Sequence, residues 1–217
     1  MQNNIKNKKI LITAGPTREY IDPVRFLSNE SSGKMGYALA ETLHNLGAVV
    51  YLVSGPVTIS TIFPIEKIKY VSTGKQMYEE CKLIFKKVDM AIFCAAVADY
   101  TPKVTSDIKI KKIEDETTLI LEKNPDIAFE FGKIKTEQQK SIGFALETNN
   151  VIENAICKLK KKNFDFIVVN SPNKNEGFGY DTNKITILKK DITLTEYPLK
   201  SKQEVAHDIV KTMIEFF

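Results

Sequence analysis

Tryptophan is absent from this 217-residue chain, and histidine, cysteine and arginine are rare. The two histidines, His44 and His207, each fall within a predicted helix, which excludes a zinc site built from histidine and cysteine and disfavours histidine-based nucleophilic catalysis. The three cysteines, Cys81, Cys94 and Cys157, are odd in number and far apart. They therefore predict neither a CxxC metal site nor a disulfide framework, and we expect a cytoplasmic protein in a reducing compartment.

Long apolar runs are also missing. The longest run without charge, residues 90–98, is about half of what spans a bilayer, and the N-terminal segment has too short an apolar stretch for a secretory signal. We therefore expect no membrane partner. Apolar residues make up 43 % and charged residues 27 % of the chain, the usual mixture of a globular protein, and the length predicts a single domain over residues 1–217.

Positive charge is carried almost entirely by lysine. The net charge is +4, and of the 31 basic residues only Arg18 and Arg25 are arginines, both within one eight-residue window. Because charges of both signs are interspersed, we interpret most lysines as solvated surface and expect no nucleic-acid partner, although a lysine-rich nucleic-acid binding module is one alternative. A guanidinium binds carboxylate or phosphate through two parallel hydrogen bonds, so the paired arginines indicate a functional segment.

Apolar runs and capping signals predict alternating strands and helices. The predicted strands cover residues 9–13, 48–53, 67–71, 90–97, 117–122, 141–146, 164–169, 184–189 and 192–197. Helices are predicted from about residue 33 to 46, over 74–87, after Asp126, over 150–162, and from Ser201 onward. Solidly apolar strands that alternate with helices predict an α/β fold with a doubly wound, mostly parallel, Rossmann-like sheet; the segments near residues 184–197 predict an antiparallel hairpin near the C-terminus.

Polar segments follow three of these strands, at the sheet edge where such folds bind ligands. After the first strand, Asn29, Ser31, Ser32 and Gly33 lead into a helix, an arrangement suited to binding phosphate at the helix N-terminus. A serine that merely caps the helix is the alternative. Neither a dinucleotide fingerprint nor a P-loop motif occurs here.

The other two segments supply charge. Asp99 follows the fourth strand, where a carboxylate suits Mg²⁺ brought in by phosphates or a ribose hydroxyl, although a simple turn residue explains it equally well. A long polar flap over residues 99–115 then presents Lys109 and Lys111 on one face if it is extended. Lys158 and Lys162 lie one helical turn apart and should repel each other unless an anion lies between them.

One spacing suggests another class of enzyme. Tyr78 and Lys82 match the Tyr-x-x-x-Lys pattern of short-chain NAD(P)-dependent oxidoreductases. The first strand lacks the glycine fingerprint of that class, and polar pairs one turn apart are common on helix surfaces.

Seven segments together resemble the phosphopantothenoylcysteine synthetase family, and the similarity covers roughly residues 9–210. They are ITAGPTRE (12–19), DPVRFLSNESSGKMG (22–36), LVSGP (52–56), AAVADY (95–100), KIKK (109–112), KNPDI (123–127) and GFALETNN (143–150), and the lysine-bearing helix follows them. Each segment is weak evidence alone, but their order and spacing make a specific pattern.

The resemblance implies a ligase of coenzyme A biosynthesis that joins 4′-phosphopantothenate to L-cysteine. In the family's bacterial members CTP activates the carboxylate as an acyl-cytidylate and releases pyrophosphate; cysteine then displaces CMP. Mg²⁺ is the implied cofactor, and CTP is a co-substrate known only through the resemblance, since nothing in the residues distinguishes cytosine from adenine.

By resemblance, particular residues take particular roles. Asn29 and Arg25 match residues of the second step, in which they would hold the acyl intermediate and stabilise its oxyanion, and Lys109 matches a catalytic lysine of the flap. Asp99 and Asp126 are the candidate Mg²⁺ contacts. The implied nucleotide pocket consists of Phe93, Cys94, Ala95, Asp99, Lys109, Asn124, Pro125, Asp126, Ile127, Phe144, Lys158 and Lys162.

The family also includes fusions to a flavin-dependent decarboxylase. Only a short tail precedes the first predicted strand, so the chain resembles the free-standing synthetase, and we expect no flavin. The resemblance further implies a homodimer in which the flap contributes to the partner subunit's site.

Overall fold

An eight-stranded sheet forms the centre of the computed structural model, which describes residues 4–59, 61, 68–112, 115–170 and 180–217. The strands in chain order are β1 (Lys9–Ala14), β2 (Arg18–Tyr20), β3 (Phe26–Ser28), β4 (Val49–Ser54), β5 (Lys69–Tyr70), β6 (Met90–Phe93), β7 (Tyr100–Pro102), β8 (Leu121–Lys123), β9 (Lys140–Leu146), β10 (Phe166–Asn170), β11 (Thr182–Asn183), β12 (Ile185–Lys189), β13 (Leu194–Glu196) and β14 (Lys200–Ser201). The helices are α1 (Lys34–Asn45), α2 (Gly74–Phe85), α3 (Ile127–Ile134), α4 (Val151–Lys161) and α5 (Lys202–Ile214).

The strand order in the large sheet is β13-β12-β10-β9-β6-β1-β4-β5. The six strands from β10 to β5 pair in parallel, and β12 and β13 complete the other side as an antiparallel hairpin. Both the doubly wound parallel sheet and the hairpin predicted from the sequence are therefore confirmed.

Side chains of successive β1 residues enter two different cores. Ile10 and Ile12 pack in a core that includes residues of α1 and α5, whereas Leu11 packs in a core that includes residues of α2, α3 and α4. Because successive side chains of a strand point to opposite faces, helices on both faces require apolar residues at every strand position. This requirement explains why the strand is apolar without alternation.

The chain reverses its direction of travel across the sheet at β1. It passes from β1 to β4 on one side, and returns through α2 to β6 on the other side of β1. In open α/β sheets, ligands bind at such a switch point, outside the carboxyl ends of the strands. The topology therefore places a binding crevice beside β1 and β6.

Most predicted boundaries differ from the structure by one or two residues, and three differences are larger. Residue 67 of the predicted strand 67–71 lies outside the described residues. The predicted strand 90–97 ends at Phe93, because the following backbone leaves the sheet and Ala96 instead donates to the Gly15 carbonyl at 2.9 Å. The predicted strand 117–122 is replaced by the shorter β8, which pairs with β7 outside the large sheet. The polar segment after β1 contains the β2–β3 hairpin, which periodicity did not reveal because each strand has only three residues.

A buried ion pair joins elements at the amino ends of β9 and β10, opposite the switch point. Lys135 Nζ donates to Asp165 Oδ2 at 2.7 Å, to the Asn163 carbonyl at 2.6 Å and to Ser141 Oγ at 3.2 Å. The side chains of Lys135 and Asp165 are only 6 % and 11 % exposed. Removing one partner would leave the other as a buried, incompletely paired charge.

We expect Lys135→Met to lower the free energy of unfolding by roughly 3–5 kcal/mol, because the substitution leaves the buried Asp165 carboxylate without its opposite charge. The matched control is Lys133→Met at the end of the same helix, whose pair with Glu130 is surface exposed and should cost less than about 1 kcal/mol. Urea unfolding measures both variants. Equal decreases in the free energy of unfolding would show that the buried pair contributes no more to stability than the exposed pair does.

Candidate functional site

A cleft of about 420 Å³ opens at the carboxyl ends of the parallel strands. Its walls come from Thr13 near the end of β1, from the segment after β6, from Phe144, Ala145 and Leu146 at the end of β9, and from Asn170 at the end of β10. The polar segments after β1 and β6 converge here, as the sequence predicted. The prediction for the segment after Leu146 is met only by Lys158 and Lys162, because residues 147–150 do not line the cleft.

The first wall is the start of α1 with the loop before it. Asn29, Ser31 and Ser32 line the cleft, and Gly33 is the N-cap residue, with a φ of 78° that a residue with a side chain rarely adopts. No side chain caps the helix; Ser31 Oγ instead accepts from the Gly33 N–H at 3.3 Å. The serine-cap interpretation is therefore wrong, and α1 presents an uncapped N-terminus to the cleft.

The second wall is the irregular segment 94–99, whose backbone is held by side chains from the first loop. Thr13 Oγ1 accepts from the Ala95 N–H at 3.2 Å, and Thr17 Oγ1 accepts from the Ala98 N–H at 3.0 Å. Asn29 Nδ2 donates to the Ala96 and Val97 carbonyls at 3.1 and 3.2 Å. Since both amide hydrogens of Asn29 are used, its side chain can offer a ligand only an acceptor oxygen.

Asp99 ends this wall with an exposed carboxylate. Its backbone carbonyl accepts from the Asn124 N–H at 2.9 Å, and Asn124 Nδ2 donates to the Ala98 carbonyl at 2.9 Å. Asn124 therefore joins the Asn-Pro-Asp turn to the β6 loop and fixes where Asp99 stands. Together with Pro125 and Ile127 it lines the cleft.

Asp126 and Lys162 form one ion pair at the cleft. Asp126 is the N-cap of α3: its Oδ1 accepts from the Phe129 N–H at 3.2 Å and lies 3.0 Å from Lys162 Nζ. The carboxylate is therefore already engaged twice, which leaves Asp99 the more available of the two acids.

Lys158 forms a separate ion pair with Glu147. Its Nζ lies 2.5 Å from Glu147 Oε1, and Asn154 donates to the other Glu147 oxygen at 3.0 Å. The predicted repulsion between Lys158 and Lys162 is thus relieved by two separate acids rather than by one anion between them. Both ammonium groups remain part of the cleft lining.

The cleft residues that were not expected from the sequence include Lys34, Asn170, Asn183 and Lys202. Lys34 pairs with Asp181 at 2.5 Å, whereas Lys202 is only 9 % exposed. Burial, assisted by repulsion from Lys34, lowers the pKa of Lys202. The cleft thus has lysines at both ends, two near α3 and α4 and two near α1 and α5.

Asn170 offers an unused acceptor in this wall. Its Oδ1 is buried and has no hydrogen-bond partner within the described residues. Because buried polar atoms are nearly always paired, this oxygen is suited to accept from a ligand. Its position directly after the predicted strand 164–169 was the signal in the sequence that would have identified it.

Cys94 and Phe144 contribute apolar surface to the cleft. Burial raises the pKa of the Cys94 thiol to about 12, although Lys202 acts in the opposite direction. The protonated thiol, which is the less nucleophilic form, is therefore favoured. With Phe93 and Ala95, it forms the floor at the end of β6.

Arg25 and Lys109 lie outside the lining of this cleft. Both are exposed, and they lie close together, because Arg25 Nη2 donates to the carbonyl of the residue that follows Lys109 at 2.8 Å. The structure thus separates the expected residues into a cleft group that includes Asn29, Asp99, Lys158 and Lys162, and an outlying pair on the flap and the β2–β3 hairpin.

The oxidoreductase interpretation finds no support in the position of its residues. Tyr78 stacks on Phe131 with ring centroids 5.5 Å apart, and neither Tyr78 nor Lys82 lines the cleft. In the described part of the chain, no three acidic, histidine or cysteine residues gather to hold a metal ion. The described helices also include none with the length and apolarity needed to cross a membrane.

The sequence and the structure of the chain are both similar to those of known proteins. The family model of the DNA/pantothenate metabolism flavoprotein C-terminal domain matches residues 5–216. A crystal structure of the C-terminal domain of the coenzyme A biosynthesis bifunctional protein CoaBC is 42 % identical, with a TM-score of 0.81 and coverage of 98 % of this chain and 97 % of that one.

Two curated relatives are longer than this chain. The CoaBC protein of Bacillus subtilis (strain 168) is 44 % identical over 208 residues, which are 95 % of this chain and 51 % of that protein. A protein named cysteine/cysteine sulfinic acid decarboxylase, from an unknown prokaryotic organism, is 46 % identical over 211 residues, 97 % of this chain and 59 % of that protein. The chain therefore spans about half the length of the curated relatives it matches, and it belongs to the family of the DNA/pantothenate metabolism flavoprotein C-terminal domain.

Proposed function

We propose that this protein is a ligase of coenzyme A biosynthesis that joins 4′-phosphopantothenate to L-cysteine and uses CTP to activate the carboxylate. The observation that carries the proposal is the cleft at the switch point, where lysines, an uncapped helix N-terminus and Asp99 surround one volume. Its size of about 420 Å³ suits small-molecule substrates. The relatives named CoaBC supply the pathway.

The reaction requires activation because a carboxylate and an amine do not condense at neutral pH. In the first step the phosphopantothenate carboxylate attacks the α-phosphorus of CTP, and pyrophosphate leaves. In the second step the cysteine amino group attacks the acyl carbonyl, and CMP departs with the bonding electrons. Both steps build negative charge that fixed cationic groups stabilise.

The lysines of the cleft suit a triphosphate. Three of them, Lys34, Lys158 and Lys162, are held by carboxylates in the free protein, and phosphate oxygens would compete for the same ammonium groups. The α1 N-terminus adds backbone N–H groups and the positive end of the helix dipole. The unpaired Asn170 oxygen would accept from a hydroxyl or an amino group of the nucleotide.

Asp99 fits Mg²⁺ better than Asp126 does. Mg²⁺ usually takes one or two carboxylates, keeps several waters and completes its shell with substrate phosphates. The Asp99 carboxylate is exposed on the cleft, whereas Asp126 would first have to release Lys162. When bound, the ion would neutralise and orient the triphosphate.

Asn29 would act in the second step through its oxygen. Its amide hydrogens bind the Ala96 and Val97 carbonyls, so the remaining oxygen would accept from the cysteine amino group and orient it toward the acyl carbon. This role differs from the oxyanion contact that the resemblance implied for the amide.

Arg25 and Lys109 would complete the site from the flap and hairpin of a second subunit. These two segments carry six of the seventeen large apolar side chains that are exposed in the described structure, including Val104 and Ile108 at 78 % and 77 % exposure. Apolar surface of this kind is typical of an interaction site. We therefore expect a homodimer in which Arg25 and Lys109 of each subunit complete the cleft of the other subunit.

Incubation with CTP, Mg²⁺ and 4′-phosphopantothenate should release pyrophosphate before cysteine is added, because activation precedes transfer. The assay is run with each of the four ribonucleoside triphosphates to identify the base preference. Failure to release pyrophosphate with any of them contradicts the ligase. Release of CO₂ from cysteine or cysteine sulfinate without nucleotide would instead favour the decarboxylase activity for which one of the two curated relatives is named.

Asn29→Ala should still form the acyl-nucleotide but transfer it to cysteine roughly 10²-fold more slowly, since the attacking amine loses its orienting acceptor. Single-turnover kinetics separate the two steps. Asn45→Ala, at the exposed end of α1, is the matched control. Normal transfer by the Asn29 variant would limit this residue to bracing the 94–99 segment.

Lys109→Ala should depress turnover by roughly 10²-fold, because an ammonium that neutralises phosphate charge in the transition state is removed. The exposed side chain makes little contribution to folding, so we expect the thermal midpoint to stay within about 2 °C. Lys103→Ala on the same flap is the control. Parallel losses of activity and stability would indicate a scaffolding role for Lys109.

A further inference from the structure

The β2–β3 hairpin carries a fully buried carboxylate that lies outside the cleft lining. Asp22 has no exposed surface, although it lies in the turn between two short, partly exposed strands. Burying a carboxylate is costly unless several donors satisfy it. The donors that contact Asp22 therefore identify the segments that this carboxylate holds together.

The two oxygens of Asp22 have different partners. Oδ1 accepts from the Val24 and Arg25 N–H groups, both at 2.8 Å, and so closes the hairpin turn. Oδ2 accepts from Arg25 Nε at 2.9 Å, from Arg25 Nη2 at 2.5 Å and from the Ile110 N–H at 3.2 Å. One oxygen thus serves the turn, and the other binds the arginine side chain and the flap.

Arg25 holds the same flap residue from its other side. Its Nη2 donates to the Ile110 carbonyl at 2.8 Å, so both backbone polar groups of Ile110 are bound by this pair. The attachment is made through the Ile110 backbone, and the residue itself is 44 % exposed. We call this set of contacts among Asp22, Arg25 and the Ile110 backbone the latch.

Further contacts fix the flap along the hairpin. The Ser106 N–H donates to the Ile21 carbonyl at 3.0 Å, and Thr105 Oγ1 donates to the Tyr20 carbonyl at 3.1 Å. These bonds hold the flap four or five residues before the latch, and Lys109 lies between the two attachments, next to Ile110. The position of its ammonium group therefore depends on the latch.

We infer that Asp22 is a positioning residue that binds Arg25 and the Lys109 segment of the flap into one unit, so that both cationic groups reach the reacting atoms together. The inference rests on the proposed function for the roles of Arg25 and Lys109. The latch uses Nε and Nη2 of Arg25, and the Nη1 hydrogens take no part in it. Asp22 itself touches no substrate.

Asp22→Asn tests the latch selectively. An asparagine oxygen at the Oδ1 position still closes the turn, whereas an NH₂ group at the Oδ2 position faces the guanidinium and the Ile110 N–H, which are donors themselves. Losing charge-assisted hydrogen bonds should raise the population of detached flap about tenfold or more. Asp107→Asn, an exposed change on the same flap, controls for the lost charge.

Limited trypsin digestion of the full chain reports on the flap without any assay of activity. Mass spectrometry should show cleavage after Lys109, Lys111 and Lys112 accelerated about tenfold in Asp22→Asn relative to cleavage at other lysines, and unchanged in Asp107→Asn. Arg25→Lys provides a second variant, because an ammonium cannot bind the carboxylate and the carbonyl through a fork, and it should accelerate the same cuts.

The kinetic readout separates positioning from general damage. Asp22→Asn should lower kcat for pyrophosphate release about tenfold while KM for CTP changes less than about threefold, because the cleft itself is untouched. Wild-type cleavage rates at the flap in both latch variants would overturn the inference. So would accelerated cleavage with unchanged kcat. If the wild-type protein releases no pyrophosphate, the proposed function fails, and the digestion rates alone decide whether Asp22 holds the flap.

Discussion

Parallel pairing of β1 with both β4 and β6 is the constraint on which the rest of the molecule depends. It brings the carboxyl ends of these strands to one edge and sends their following segments in different directions, which leaves a crevice between them. The 94–99 segment leaves the regular ladder of the sheet, and side chains of Thr13, Thr17 and Asn29 satisfy much of its backbone, together with the Gly15 carbonyl. The walls of the cleft are thus fixed by hydrogen bonds that the sheet itself cannot supply.

Charge is distributed unequally between the two edges of this sheet. At the amino edge, Lys135 and Asp165 are buried together, the Lys135 ammonium has three acceptors, and the Ser141 N–H also donates to Asp165 Oδ2. At the carboxyl edge the pairs of Lys158 and Lys162 are partly exposed, so an incoming polyanion can compete for the lysines. The same residue types therefore form a buried pair at one edge and partly exposed pairs at the other.

The flap and the hairpin form a second region, in which Asp22 and Arg25 bind the flap backbone while several apolar side chains are exposed. Asp22 satisfies donors of the turn, the arginine and the flap, and these hydrogen bonds hold its pKa well below the ordinary range even though burial acts in the opposite direction. Six large apolar residues of the same segments are exposed. Hydrogen bonds to Asp22 and Arg25 thus explain how a region outside the two cores keeps a defined shape while apolar side chains stay exposed.

The sequence by itself determined the alternation of strands and helices, the parallel sheet, the terminal hairpin and the edge at which the polar segments meet. These features follow from local periodicity and from short capping signals such as those at Thr73 and Ser201, both of which form capping boxes. Individual motifs also marked Asn29, Asp99, Lys158 and Lys162 as neighbours before any coordinates.

The tertiary structure alone decided which charges are paired, that Asn170 and Lys202 join the cleft, that Arg25 and Lys109 stand apart from it, and that Asp22 joins them. The physical reason is separation along the chain. Contacts such as Asp22 to Ile110 or Lys34 to Asp181 link residues that are far apart in the sequence and that no periodicity relates. Burial, which determines how strongly a charge interacts with its neighbours, depends on the whole fold.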